Sequence, residues 1–160
     1  MNISLVSFLE IPHRLQMETR HWRNSESVAK YFRIPHITEE QHKNWLEKLK
    51  EEQPGTIAFV IEKDSDYIGV TYFHSISYER KTADWGIYIH RSDMRGQGIG
   101  KAVLARCLQY AKETLKMEVV SLDVRAENLR AISVYEQLGF ERVISNEPHF
   151  YRYAKKLTEE

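Results

Sequence analysis

Arg95-Gly96-Gln97-Gly98-Ile99-Gly100-Lys101 is the stretch of this 160-residue chain that decides its fold class. It follows residues 82–90, whose alternating apolar and polar side chains predict a strand. It opens residues 99–115, whose apolar side chains recur at helical spacing. Glycines between a strand and a helix let the backbone approach a ligand, and the free N–H groups at the helix start favour an anion. The stretch therefore predicts a phosphate-binding turn.

Two familiar phosphate-binding motifs do not fit this stretch. A P-loop needs a glycine where Arg95 stands and a serine or threonine where Ala102 stands. The dinucleotide fingerprint, read from Gly96, needs its third glycine at Lys101, and read from Gly98 it fails as well. The pattern that remains is Arg-x-x-Gly-x-Gly. Taken alone, it fits equally well a glycine-rich turn that only joins a strand to a helix.

The rest of the chain predicts one α/β domain over residues 1–160, with the element order β-α-α-β-β-β-α-β-α-β-β. The predicted strands are residues 3–8, 57–62, 67–76, 82–90, 119–124, 140–144 and 150–154. The predicted helices are residues 12–31, 38–52, 99–115 and 128–138. Thr38 followed by Gln41 is a capping-box pattern, and Gly139 is typical of the position after a helix C-terminus. This order predicts a mixed, mostly antiparallel sheet.

Composition and charge argue against several classes of protein. Lys and Arg together number 23, as do Asp and Glu, so no general positive field attracts nucleic acid or an anionic membrane. No apolar run approaches the ~20 residues that span a bilayer. Residues 1–15 lack the basic start and apolar run of a signal peptide. Cys107, the single cysteine, lies in an apolar helical stripe and is expected in the core. We therefore expect a cytoplasmic protein without nucleic-acid or membrane partners.

A second motif follows the glycine stretch. It reads Leu122-x-Val124-x-x-x-Asn128-x-x-Ala131-x-x-x-Tyr135-Glu136-x-x-Gly139-Phe140. The glycine stretch resembles the acyl-CoA pyrophosphate loop of the GCN5-related N-acetyltransferases (GNAT family), and this motif resembles the family's second cofactor motif. Two motifs in the right order are far more specific than either alone. The resemblance covers residues 57–140 well and the N-terminal half more loosely.

The resemblance implies a fold, a co-substrate and a set of cofactor-binding residues. The fold is a central twisted sheet of about seven strands, mixed and mostly antiparallel, flanked by helices. The co-substrate is acetyl-CoA, and no metal is implied. The implied cofactor-binding residues are Ile87, Ile89, Arg95, Gly96, Gln97, Gly98, Ile99, Gly100, Lys101, Asn128, Ala131 and Tyr135.

The resemblance also implies a direct attack of a neutral amine on the thioester, with Tyr135 as the general acid. Without the resemblance, core packing explains Tyr135 better. A base must remove the amine proton, and the candidates are Asp123, His42, Asp84 and Glu127. Asp123 and His42 are the expected catalytic pair. Asp123 is equally explained as a strand-edge acid that faces solvent or pairs with Arg125. On sequence alone, His42 is better explained as a surface or satisfied histidine.

The N-terminal half resembles the acetyltransferases of nucleotide-linked 4-amino-4,6-dideoxy sugars in pseudaminic acid biosynthesis. In those enzymes a histidine at the place of His42 and an acid at the place of Asp123 lie near the sugar, although the acid there is a glutamate. The expected substrate-binding residues are Arg23, Asn24, His42 and Trp85. Arg23 fits a phosphate contact or a helix-end salt bridge. Acetylation of ribosomal-protein or other peptide N-termini stays open, as do a non-catalytic acyl-CoA-binding module and a homodimer.

Overall fold

The computed structural model describes residues 2–157. The strands are β1 (Ile3–Ser7), β2 (Ile57–Lys63), β3 (Asp66–Ser77), β4 (Thr82–Ile89), β5 (Val119–Arg125), β6 (Glu141–Val143) and β7 (Phe150–Lys156). The α-helices are α1 (His13–Asn24), α2 (Glu26–Ala29), α3 (Glu39–Lys48), α4 (Ile99–Glu113) and α5 (Leu129–Gln137). Short 3-10 turns occupy Phe8–Glu10 and Ser92–Met94. Within residues 2–157 no helix is long and apolar enough to cross a membrane.

The seven strands form one sheet in the order β1-β2-β3-β4-β5-β7-β6. Every neighbouring pair is antiparallel except β4 and β5, which run parallel because α4 connects them as a crossover. The C-terminal β7 inserts between β5 and β6. The prediction of a mixed, mostly antiparallel α/β sheet flanked by helices is confirmed.

The parallel strands β4 and β5 separate soon after they begin. Their register runs only from Thr82 opposite Val119 to Asp84 opposite Ser121. Beyond these pairs, β4 continues to Ile89 and β5 to Arg125 without pairing to each other. The facing backbone groups of the two strands are thus left available to a ligand, since buried N–H and C=O groups require partners.

Two hydrophobic clusters cover the two faces of the sheet. One lies under α4 and α5 and includes Trp85, Val103, Cys107 and Leu122. The other lies under α1 and α3 and includes Phe8, Leu46, Val60 and Val70. Burial raises the pKa of the Cys107 thiol, which is consistent with the predicted core position and not with a nucleophile.

Two predicted helices are shorter than expected. The helix predicted over residues 12–31 breaks at Ser25, whose backbone is extended and whose hydroxyl donates to the Trp22 carbonyl at 2.7 Å. The helix predicted over residues 38–52 begins with the expected capping box but ends at Lys48. After it, the N–H groups of Leu49 and Lys50 bond carbonyls three residues back, so the last turn tightens.

Candidate active site

A cavity of about 790 Å3 opens over the separated ends of β4 and β5. Its other walls come from α1, α3, β3 and the segment between α2 and α3. The predicted site residues that line it are Arg23, His42, Trp85, Ile87, Asp123, Asn128 and Tyr135. Those outside its lining are Asn24, Ile89, Ala131 and the glycine stretch at residues 95–101. Residues of the two predicted motifs therefore meet residues of the N-terminal half in one cavity.

The glycine stretch forms the turn between β4 and α4. Gly96 and Gly98 both have left-handed backbones, with φ angles of 77° and 79°. A side chain would strain these two positions. Gly98 is the N-cap of α4, and its carbonyl accepts the N–H of Ala102. The N–H groups of the first turn of α4 lack intrahelical partners, so they suit an anionic ligand.

The polar side chains of the stretch bond to the protein itself. Arg95 donates from Nη2 to the Ile89 carbonyl at 2.7 Å, which ties the loop to the end of β4. Gln97 donates to the Asp93 carbonyl at 2.9 Å. These two side chains stabilise the turn. The backbone N–H groups of the turn are therefore the main donors left to bind phosphate. The geometry thus fits a pyrophosphate group.

Two features near the turn were not predicted. Apart from its chain neighbours and its own helix backbone, a Cβ atom at Gly100 would meet no atom within 4 Å, and its φ is not left-handed, so neither crowding nor backbone strain explains this glycine. A Cβ at Gly96 would lie 2.9 Å from Nη1 of Arg130, so that guanidinium sits against the turn. Arg130 adds a positive charge beside the predicted phosphate site. Sequence reasoning missed it because it stands on α5, far along the chain.

Helix α5 carries the second motif and positions Tyr135. Asn128 is its N-cap and accepts the N–H of Ala131 at 3.4 Å. The Tyr135 ring packs edge-on against Trp85, with 6.2 Å between ring centroids. Its hydroxyl makes no hydrogen bond to another residue between 2 and 157. Burial raises the pKa of Tyr135 above its usual 10, so the phenol stays protonated and can donate.

His42 on α3 lies on the opposite wall and is only 7% exposed. Its Nε2 is 2.7 Å from the Gln16 carbonyl, an atom that can only accept. Nε2 must therefore carry the proton, which leaves Nδ1 with the lone pair. Burial lowers the pKa of His42 below 6.5 and keeps the ring neutral near pH 7. A neutral histidine with a fixed tautomer is suited to accept a proton.

The acidic base candidates are occupied by arginines. Asp123 contacts Arg33 at 3.2 Å and Arg152 at 3.1 Å. Arg152 also makes a bidentate pair with Asp84, at 2.9 and 3.0 Å. The expected pairing of Asp123 with Arg125 is wrong, because the partners of Asp123 are these two arginines. Arg125 instead lies 3.9 Å from Glu127, whose side chain is 67% exposed.

Arg23 and Asn24, at the end of α1, have different surroundings. Asn24 bonds both the N–H and the carbonyl of Ile37, at 2.8 and 2.9 Å, and so fixes the segment before α3. Arg23 stacks on Phe32 at 3.6 Å and donates from Nη2 to the Ile34 carbonyl at 2.8 Å. Its Nη1 is buried without a hydrogen-bond partner in the described part of the chain.

Several cavity residues were not predicted from sequence. They are contributed chiefly by β3 and by the segment before α3, and include Tyr72, His74 and Arg33. Alternation along β3 indicates which side chains share a face, but only the pairing of β3 with β4 shows that this face meets the cavity. No sequence motif indicates a role for Arg33, because its partners Asp123 and Glu147 are remote in sequence.

Known proteins resemble this chain over most of its length. Residues 11–141 match a family model described as an acetyltransferase (GNAT) domain. The chain is 25% identical over 157 residues to acetyltransferase PseH of Campylobacter jejuni, covering 98% of this chain and 96% of that protein.

Solved structures show the same fold. The spermidine N-acetyltransferase of Vibrio cholerae, in complex with CoA and spermine, matches with a TM-score of 0.82 and 20% identity, over 97% of this chain and 95% of that one. Campylobacter jejuni PseH in complex with acetyl coenzyme A matches with a TM-score of 0.74 and 24% identity, over 98% and 100% of the two chains. Since the family model spans most of the chain, this protein belongs to the GNAT family and is an acetyl-CoA-dependent N-acetyltransferase.

Proposed function

We propose that the acceptor is a primary amine on a phosphate-bearing small molecule, with a nucleotide-linked 4-amino-4,6-dideoxy sugar as the best candidate. The main support for the proposal is that the Nη1 atom of Arg23 is buried and has no hydrogen-bond partner in the described part of the chain. No carboxylate among residues 2–157 forms a salt bridge with Arg23. A half-buried guanidinium without a carboxylate partner is favoured by a bound anion, and a phosphate group of the substrate would supply the missing negative charge. The full-length similarity to PseH supports the same acceptor class.

The charge of the cavity favours an anionic acceptor over a polyamine. Four cationic side chains line it, against one carboxylate among the described residues. The cations are Arg23, Arg33, Lys48 and Arg125, and the carboxylate is Asp123. Asp123 is itself paired with two arginines. A polyamine carries several positive charges and would be repelled here, whereas phosphates would be attracted.

In the mechanism that we propose, acetyl-CoA supplies an activated acyl group, and the chain's own residues handle the protons. The first turn of α4 and Arg130 hold the phosphates, and the free edges of β4 and β5 hold the pantetheine arm. Nδ1 of His42 takes the proton from the attacking amine. Asp123, which is paired with Arg33 and Arg152, orients the acceptor through hydrogen bonds.

Tyr135 acts at the leaving group. Its hydroxyl donates to the departing thiolate, whose pKa as a free thiol is ~8.5. Burial raises the pKa of Tyr135 above 10, so complete proton transfer to the thiolate is uphill. The phenol therefore stabilises the thiolate through a hydrogen bond, and solvent supplies the net proton. No covalent enzyme intermediate is needed, in keeping with the buried Cys107.

Thiol release with a panel of amines tests the acceptor class. The panel contains nucleotide-linked 4-amino sugars, peptide N-termini, polyamines and aminoglycosides. We expect turnover on the sugar nucleotide, and Arg23→Gln should lower its kcat/KM about 10- to 150-fold, the range of a hydrogen bond to a charged group. Arg14→Gln, an exposed change on the same helix, is the matched control. Preferred turnover of a peptide or polyamine would refute the proposed acceptor.

A further inference from the structure

We propose that Tyr72 supplies a second active-site hydroxyl, whose oxygen accepts a hydrogen bond from the attacking amine. Tyr72 stands on β3 directly opposite Gly86 on β4. A Cβ atom at Gly86 would lie 2.5 Å from both Cζ and the hydroxyl oxygen of Tyr72. The phenol therefore lies flat across Gly86. Gly86 does not have a left-handed backbone, so space for this ring is what requires the glycine.

The position of the ring determines where its hydroxyl reaches. Neighbouring strands lie about 4.8 Å apart, so a side chain that starts on β3 and ends over Gly86 has crossed to β4. The pairing of β4 with β5 ends at Asp84, opposite Ser121. At the level of Gly86, a gap therefore lies on the side of β4 that faces β5. Tyr72 lines the cavity together with Trp85, Ile87 and Tyr135. Its hydroxyl thus lies beside the strand that borders the predicted thioester site.

The Tyr72 hydroxyl has no hydrogen bond to any residue between 2 and 157. The hydroxyl is not one of the fully buried unpartnered atoms and Tyr72 lines the cavity, so a substrate atom can reach it and become its partner. Burial raises the pKa of Tyr72 to about 12, so the group is a neutral phenol at working pH. Proximity to Tyr72 is also a lesser cause of the raised pKa of Tyr135, which agrees with the two hydroxyls being close.

The two tyrosines approach from different sides and have different tasks. Tyr135 comes from α5, packed among residues of the α4 and α5 core. Tyr72 comes from the opposite face, where it packs on the cluster beneath α1 and α3 and where Arg23 and His42 line the cavity. Tyr72 is therefore on the acceptor side, and orienting the amine is the role open to it. No bond is made or broken by Tyr72 in this step.

Tyr72→Phe removes only the oxygen and is the first test. With the amine of the panel that turns over best, we expect acceptor kcat/KM to fall about 2- to 12-fold, the range for one neutral hydrogen bond. The Kd of acetyl-CoA and the Tm should stay at wild-type values. Tyr67→Phe, on the same strand but exposed, is the control. Unchanged kcat/KM in Tyr72→Phe, or a loss confined to acetyl-CoA affinity, would overturn the proposal.

A double-mutant cycle tests the placement of the ring. Gly86→Ala should displace the phenol, lower the Tm and reduce turnover, because its Cβ would overlap the ring. In a Tyr72→Ala background, Gly86→Ala should change the Tm and the turnover little, because the ring that its Cβ would overlap is gone. If Gly86→Ala lowers the Tm and the turnover equally in the wild-type and Tyr72→Ala proteins, Tyr72 does not lie over Gly86. The proposal rests on acetyl transfer to an amine and not on which amine is preferred, so it fails separately from the proposed acceptor.

Discussion

Gly100→Ala should separate cofactor binding from folding in this protein. Gly100 lies in the first turn of α4, and its φ is not left-handed. Apart from its chain neighbours and the backbone of its own helix, a methyl group there would meet no protein atom within 4 Å. Alanine is more favourable than glycine inside a helix by about 0.5–1 kcal/mol, so the variant should be slightly more stable than wild type. In a protein of this size that corresponds to a Tm rise of roughly 1–4 °C.

Acetyl-CoA binding should change in the opposite direction. The methyl group would project beside N–H groups that are free to bond a pyrophosphate oxygen. Losing one hydrogen bond to a charged group costs about 1.5–3 kcal/mol, or roughly 10- to 150-fold in Kd. Titration calorimetry with acetyl-CoA and a thermal melt of the same sample measure both quantities.

Gly98→Ala is the matched control for this prediction. Gly98 has a φ of 79°, where an alanine pays about 1–2 kcal/mol, so this variant should lose stability as well as affinity. A Gly100→Ala protein that binds acetyl-CoA with wild-type Kd would refute the assignment of the turn as the phosphate cradle. A protein that loses affinity only because its Tm has fallen would refute the separation of the two effects.

Two further predictions concern ionisable residues. Tyr135→Phe should lower kcat by about 100-fold or more while the Kd of acetyl-CoA stays near wild type. A Tyr135→Phe protein with full turnover would show that Tyr135 is not the donor to the thiolate. His42, His74 and His90 have pKa values lowered from 6.5, chiefly by burial. The unfolded chain therefore binds more protons, so the free energy of unfolding should fall as the pH drops below 6.5. Thermal melts on either side of that pH check this, and His42→Gln should weaken the dependence.

The cofactor half of the site follows from local sequence signals. Helix α4 opens from the glycine stretch as predicted, and Gly139 takes the left-handed backbone expected after α5. The capping box of α3 forms between Thr38 and Gln41. Each of these features is decided within a few residues, because helix ends need partners for their free N–H and C=O groups. Sequence patterns at fixed spacing therefore carry this information directly.

The acceptor half depends on long-range contacts that no local pattern encodes. Arg33 joins Asp123 and Glu147 across 90 and 114 residues, and charged side chains in loops give no sign of their partners. The break at Ser25 is also decided by tertiary contacts, because Asn24 next to it is tied to Ile37. Helical composition over residues 12–31 could not reveal this.

The strand register decides which side chains face the acceptor. Tyr72 and His74 reach the cavity because they stand opposite Gly86 and Asp84. A slip of one residue would turn this whole set to the other face of the sheet.

The register shift at Ile61 and Glu62, opposite Gly69, lies in the adjoining β2–β3 pairing. There the backbone at Gly69 approaches β4 so closely that a Cβ would lie 2.2 Å from the Tyr88 carbonyl oxygen. Glycines at 69 and 86 thus keep β3 and β4 in contact. The acceptor site depends on glycines outside the phosphate turn as much as the cofactor site depends on those within it.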